Sequence, residues 1–127
     1  MKIEHFAWDM PDPVAAADWY CKHLGFRIVR HNPKGAQMTF LADDSGTVCI
    51  EIYRNPKVTT PDYPAMHPLL MHLALVSEDP EADRSRLEAA GATFFEEDKL
   101  ADGSHLIMMK DPWGVSLQLC KRGNPFI

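Results

Sequence analysis

Short apolar stretches separated by polar turns fill the first half of this chain. Stretches of strand type lie at residues 2–9, 26–31, 36–42 and 47–53. Between the first two, Asp12 and Pro13 have the residue types of a helix N-cap and first turn, and Gly25 has that of a helix stop. The pattern therefore predicts the order β-α-β-β-β for residues 1–53.

The second half repeats this order. Strands are predicted at residues 70–76, 92–97, 104–110 and 115–120. Asp79 and Pro80 again open a helix, and Gly91 stops it. We therefore predict an α+β fold in which two βαβββ units, residues 1–53 and 70–120, belong to one domain spanning residues 1–127. A proline-rich connector at 54–69, predicted to be extended and stiff, joins them, and 121–127 form a tail.

A constant offset relates the two halves. His5 and His72 are 67 positions apart (72 − 5), and the Asp-Pro pairs that open the helices keep the same offset. Applied to the last strand of the first unit, this offset places Glu51 opposite Gln118. The chain therefore resembles two copies of one unit, with a polar residue at matched positions in the first and last strands of each copy.

Alternation along the last strand of each unit predicts which side chains share a face. Val48, Ile50 and Ile52 point one way, as do Val115, Leu117 and Leu119 in the second unit. The opposite faces carry Cys49, Glu51 and Tyr53 in the first unit, and Ser116, Gln118 and Cys120 in the second. Glu51 and Gln118 thus stand among residues that could line a pocket.

Composition narrows the functional class. The chain has 127 residues, 46% hydrophobic and 24% charged, with a net charge of −5. Its interleaved charges give no clustered basic face, so a nucleic-acid partner is not expected. No apolar run approaches the roughly 20 residues that span a bilayer, and no signal peptide is recognisable, so no membrane partner is expected. Three cysteines without metal-type spacing indicate reduced thiols in the cytoplasm.

Four residues with metal-ligating side chains occupy the matched strands: His5, Glu51, His72 and Gln118. A lone histidine in a strand is usually structural. Two histidines, a glutamate and a glutamine related by one repeat offset favour a common site. A buried carboxylate such as Glu51 is costly unless it is paired or bound to a cation. Imidazole, carboxylate and amide oxygen together suit one divalent transition metal: zinc, nickel, iron, cobalt or manganese.

These features resemble the vicinal oxygen chelate superfamily, which includes glyoxalase I, bleomycin-resistance proteins and extradiol dioxygenases. The resemblance covers nearly the whole chain. It rests on His5, the Asp12–Phe26 segment ending in Leu-Gly-Phe, Glu51, His72, the Leu87–Gly91 segment, and the Asp-Pro-Trp-Gly turn at 111–114 that leads to Gln118. It implies that the eight strands form an open mixed-sheet cup around the metal.

The resemblance further implies an enzyme of lyase or isomerase type. The metal would hold a small substrate through two vicinal oxygens and stabilise an enediolate-like charge, with His5, Glu51, His72 and Gln118 as ligands and Glu51 as the base. Gln118 departs from the glutamate usual in glyoxalase I, and a glutamine cannot act as a base. Cys49, Tyr53, His105 and Cys120 are further candidates for the substrate pocket.

Two alternatives stay open. One is a metal-free protein that sequesters a ligand, in the manner of the bleomycin-resistance proteins. The other is an iron(II) ring-cleaving dioxygenase, in which His5, His72 and Glu51 would form a two-histidine, one-carboxylate triad. The resemblance and the long connector also imply a homodimer with shared sites, in which His5 and Glu51 come from one chain and His72 and Gln118 from the other.

Overall fold

The predicted β-α-β-β-β order occurs twice in the computed structural model, which describes residues 1–126. The first copy comprises β1 (His5–Asp9), α1 (Pro13–Leu24), β2 (Arg27–His31), β3 (Thr39–Ala42) and β4 (Cys49–Tyr53). The second comprises β5 (Leu73–Val76), α2 (Pro80–Ala89), β6 (Thr93–Lys99), β7 (His105–Lys110) and β8 (Ser116–Lys121). The α+β class is confirmed. The chain divides into two compact units, Met1–Pro61 and a second that begins at Asp62.

The two helices begin in the same way, as their sequences predict. The Asp12 side chain accepts a hydrogen bond from the backbone N–H of Ala15 at 3.0 Å, and Asp79 accepts one from Ala82 at 3.1 Å. Both N-cap residues have φ −138° and ψ 86°. An aspartate cap satisfies an otherwise unpaired amide and interacts favourably with the helix dipole.

Each unit contains one four-stranded mixed sheet, with strand order β1-β4-β3-β2 in the first and β5-β8-β7-β6 in the second. The parallel pairs, β1 with β4 and β5 with β8, keep the sequence repeat, because Ala7 pairs with Glu51 and Ala74 pairs with Gln118. A β-bulge interrupts each outer hairpin, between Ile28 and Arg30 and between Phe94 and Glu96. Strands β1 and β5 are edge strands of their own sheets.

One face of each sheet is covered by the unit's own helix. In the first unit α1 packs on β3, and Tyr20, Leu41 and Ile52 are at most 1% exposed. In the second unit α2 packs on β7 and β8, and Leu87 and Leu117 are fully buried. Burying a large apolar side chain contributes roughly 1.5–3 kcal/mol. The face assignments made from the alternation in β4 and β8 are therefore confirmed.

The first part of the connector is tied to β1. The carboxylate of Asp9, which is 6% exposed, accepts hydrogen bonds from the backbone N–H of Asn55 at 2.6 Å and from the hydroxyl of Thr60. A buried carboxylate requires such partners. Residues 54–61 are thereby held against the end of the first sheet.

The second part of the connector is folded, so the prediction of an extended segment over all of 54–69 was wrong. The chain turns at Asp62, whose carbonyl accepts from the N–H of Met66 at 3.0 Å, and a single 3₁₀ turn follows at Pro68–Leu70. The Lys110 ammonium group donates to the carbonyls of Tyr63, Pro64 and Met66 at 2.6–2.9 Å. These charge-assisted bonds bend the segment onto β7.

Among residues 1–126, neither helix has the length and apolar character that a membrane crossing requires.

Candidate functional site

The first unit brings His5 and Glu51 together. Parallel pairing places His5 beside Cys49 and Ala7 beside Glu51, so the two side chains leave the same face of the sheet. His5 Nε2 lies 3.5 Å from a carboxylate oxygen of Glu51, whose side chain is only 13% exposed. The ring of Phe40, a residue that the sequence reasoning missed, meets the imidazole edge-on at 5.5 Å between centroids.

The other nitrogen of His5 has its own partner. Nδ1 is hydrogen bonded to the carboxylate of Glu4, which raises the pKa of His5 above its usual value, with a smaller contribution from Glu51. A carboxylate can only accept, so Nδ1 carries the proton and the lone pair of the neutral ring lies on Nε2. His5 therefore offers Nε2, on the side of Glu51, as a potential ligand atom.

The second unit places His72 and Gln118 by the same register. His72 immediately precedes β5, and Ala74 pairs with Gln118 as Ala7 pairs with Glu51. His72 Nδ1 lies 3.0 Å from the carbonyl oxygen of Pro68, which can only accept, so its lone pair is also on Nε2. The two histidines thus carry the lone pair on the same ring nitrogen, Nε2, although the acceptors of their Nδ1 protons differ.

Cys120 orients the Gln118 side chain. Burial raises the pKa of the Cys120 thiol, so the group is protonated at neutral pH. The thiol donates to Gln118 Oε1 at 3.2 Å. This contact identifies the oxygen end of the amide. Cys49 and Tyr53 are half-buried and lie on the Glu51 face of β4, as predicted.

His105 lies on the other face of its sheet. Met108 pairs with Gln118, so alternation puts His105 on the face of Ile107 and Met109, which is covered by α2. The structure therefore separates His105 from Gln118. The sequence could not give this result, because it depends on the pairing register between β7 and β8.

On that helix-covered face, His105 belongs to a group of charged side chains. Its Nε2 lies 2.8 Å from Glu97, and potential ligand atoms of Glu81, Glu97 and His105 lie within 4.8 Å of one another. The Lys99 ammonium group already bridges the carboxylates, at 2.9 Å from Glu81 and 3.2 Å from Glu97. These contacts raise the pKa of Lys99 and, chiefly through Lys99, lower the pKa of Glu97. The lysine thus occupies the place that a cation would need.

The four predicted ligands fit a divalent transition metal by their chemistry. They offer two imidazole nitrogens, a carboxylate and an amide oxygen, a mixture that zinc, nickel, iron, cobalt and manganese accept. Each histidine also donates its second ring N–H to an oxygen acceptor, which is the arrangement that metal-ligating histidines use. The four ligands remain a prediction from the sequence, and the sequence did not identify Glu4 or the Pro68 carbonyl as the partners of the two histidines. An acidic residue next to a strand histidine was the only available signal.

A cavity of about 440 Å³ lies along β5 in the second unit. Its lining is mostly apolar and includes Leu75, Val76, Cys120 and Phe126. Val76 is 89% exposed, which is unusual for a valine in a strand. The thiol of Cys120 links this cavity to the Gln118 side chain.

Comparison with known proteins gives a family match and several similar solved structures. The family model described as "Glyoxalase/Bleomycin resistance protein/Dioxygenase superfamily" matches residues 2–119. Among solved structures, SMU.1112c is 26% identical with a TM-score of 0.73, covering 95% of this chain and 98% of that one. A glyoxalase family protein from Enterococcus faecalis is 26% identical with a TM-score of 0.71, covering 94% and 97%.

TnmS3, an antibiotic binding protein from Streptomyces sp. CB03234, shares the fold at 18% identity and a TM-score of 0.73, covering 96% of each chain. No curated protein matched the sequence.

Proposed function

Because the chain belongs to the glyoxalase/bleomycin resistance protein/dioxygenase superfamily, we propose that it is a divalent-metal enzyme that binds a small substrate through two vicinal oxygens. The reaction is proton transfer at a carbon next to a carbonyl, of lyase or isomerase type. One observation supports the proposal: in each unit a histidine has its Nδ1 hydrogen bonded to an oxygen acceptor, which leaves the lone pair on Nε2, and it lies in the same register to Glu51 or Gln118.

The metal, held by His5, Glu51, His72 and Gln118, would supply Lewis acidity to the substrate oxygens. Glu51 takes the proton from carbon, because its carboxylate is the only one of the four side chains that can do so without releasing an imidazole ligand. Gln118 contributes a neutral oxygen, so the set carries one negative charge. Fewer anionic ligands leave more of the cation's charge for the substrate.

The partner in this proposal is a second copy of the chain. Strands β1 and β5 each end a sheet, and an apolar edge strand offers unpaired backbone groups to another strand. We place His5 and Glu51 of one copy with His72 and Gln118 of the other. All three cysteines are free thiols, which supports a reducing compartment such as the cytoplasm.

A metal-free binding protein is the second candidate, and the apolar cavity along β5 favours it. The fold shared with TnmS3 permits this role but does not assign it. The two candidates differ in one measurable property, which is stoichiometric metal binding.

The decisive experiment uses protein purified without a histidine tag. The protein is incubated separately with zinc, nickel, cobalt, manganese and iron(II), desalted, and analysed for bound metal. We expect one metal per four-residue site, lost in His72→Ala with the fold retained. His23→Ala, which removes a histidine of α1 outside the ligand set, is the matched control and should bind like the wild type. A wild type that retains none of these metals contradicts the enzyme proposal and favours the binding protein.

A further inference from the structure

The two proposed histidine ligands differ in what holds them. The His72 ring donates to a backbone carbonyl, that of Pro68. The His5 ring donates to a side-chain carboxylate, that of Glu4. The repeat explains the difference, because the residue equivalent to Glu4 in the second unit is Met71, which has no comparable acceptor.

From this contact we infer that Glu4 is the positioning residue for His5, an inference that rests on the proposed metal function. Glu4 holds the proton of the neutral imidazole on Nδ1 and turns Nε2 toward Glu51. Without an acceptor, a free imidazole can rotate and can place its proton on Nε2, where it blocks ligation. Glu4 thereby keeps the first unit's half of the ligand set ready to bind.

The solvent exposure of Glu4 and His5 distinguishes a positioning role from a contribution to folding stability. The side chain of Glu4 is 80% exposed and that of His5 is 37% exposed. An ion pair so open to solvent contributes little to folding stability. Loss of Glu4 should therefore leave the melting temperature nearly unchanged. It should weaken metal binding, because the outer partner of a metal-ligating histidine fixes the tautomer and orientation of the ring.

The first arm of the test measures zinc affinity by competition with a chromophoric chelator. Glu4→Ala should weaken binding by about 10- to 100-fold, the usual effect of removing an outer partner. Glu88→Ala removes the same side chain from the surface of α2, where it pairs with Arg84, and should stay within about twofold of the wild type. Glu4→Ala binding as tightly as Glu88→Ala would overturn the inference.

The second arm requires no metal. Long-range ¹⁵N–¹H spectra of the metal-free protein report the tautomer of each histidine. We expect His5 with its proton on Nδ1 in the wild type and a shift toward Nε2 in Glu4→Ala. His72, whose acceptor is untouched, serves as the internal control. An unchanged His5 spectrum would refute the positioning role. A wild type that binds no zinc overturns the proposed function instead, while this arm still decides whether Glu4 positions His5.

Discussion

At the scale of single residues, Glu51 and Gln118 occupy the same position in two copies of one unit and differ only in an oxygen and a nitrogen. That difference divides their roles. Both oxygens can ligate a metal, but only the carboxylate can accept a proton from carbon. The proposed chemistry therefore depends on Glu51, whereas Gln118 serves as a neutral ligand.

Glu51→Gln should lower turnover by roughly 100-fold or more, the scale of a lost general base, while retaining much of the metal. The measurement is turnover at saturating metal with any substrate that the wild type accepts. Gln118→Glu is the reciprocal variant, and it should keep turnover within about tenfold and raise metal affinity. An active Glu51→Gln enzyme would show that Glu51 is a ligand only.

Glu97 supports a prediction about acid stability. Its folded-state pKa is lowered, chiefly by the hydrogen bond from Lys99 and then by that from His105. A carboxyl with a lowered folded pKa stabilises the fold at pH values above its unfolded pKa of about 4.3, and this contribution disappears as the pH falls through the folded value. Glu97→Gln should therefore lower Tm at pH 7 and match the wild type in strong acid.

Thermal melts from pH 3 to pH 7 measure this difference. Glu96→Gln removes the same charge from the opposite face of β6, outside the cluster, and should change Tm little over the range. A Glu97→Gln deficit that persists undiminished at pH 3 would show that the carboxylate contacts are not its source.

At the scale of elements, the turn between β7 and β8 is held closely against the connector. Gly114 has φ 86°, and a Cβ built there would lie 2.5 Å from the backbone nitrogen of Pro64. No side chain fits at that distance without moving backbone. The glycine is therefore required twice, for its conformation and for the close approach of another segment.

Gly114→Ala should destabilise the protein by about 3 kcal/mol or more, since left-handed strain of about 1–2 kcal/mol adds to the steric conflict. Gly103→Ala is a close control. Gly103 has φ 85°, but a Cβ built there would lie 4.0 Å from its nearest neighbour, the Cα of Gly123. This substitution should cost only about 1–2 kcal/mol. Urea unfolding measures both variants, and equal losses would mean that the Pro64 contact is unimportant.

At the scale of the whole molecule, the repeat places half of the proposed ligand set in each unit. Sharing between two copies makes a specific prediction for mixed variants. His5→Ala and His72→Ala homodimers each lack one histidine at every site. After subunit exchange, one site of the mixed dimer lacks both histidines and the other keeps all four ligands.

Mixing the two variants should therefore restore metal to up to half of the sites in mixed dimers, measured as metal per chain after reversible unfolding and refolding together. Refolding each variant alone is the control and should give none. A protein that sediments as a monomer, or a mixture that binds no more than its components, contradicts sharing.

The sequence determined the features that depend on neighbours along the chain. Alternation in β4 and β8 defined the buried faces, the aspartate caps defined where both helices begin, and the offset of 67 (72 − 5) matched Glu51 with Gln118. These features are local because strand periodicity and helix capping act within a few residues. The structure confirms them, including the offset, which the strand pairing preserves.

Only the tertiary structure decided which residues distant in sequence come into contact. The face on which His105 lies follows from the pairing of β7 with β8. The fold of the connector depends on the hydrogen bonds that Lys110 donates to backbone carbonyls within it. The acceptor of His72 is likewise a backbone carbonyl, that of Pro68. Every residue has a carbonyl, so no sequence pattern marks the one that will be used; chain geometry selects it.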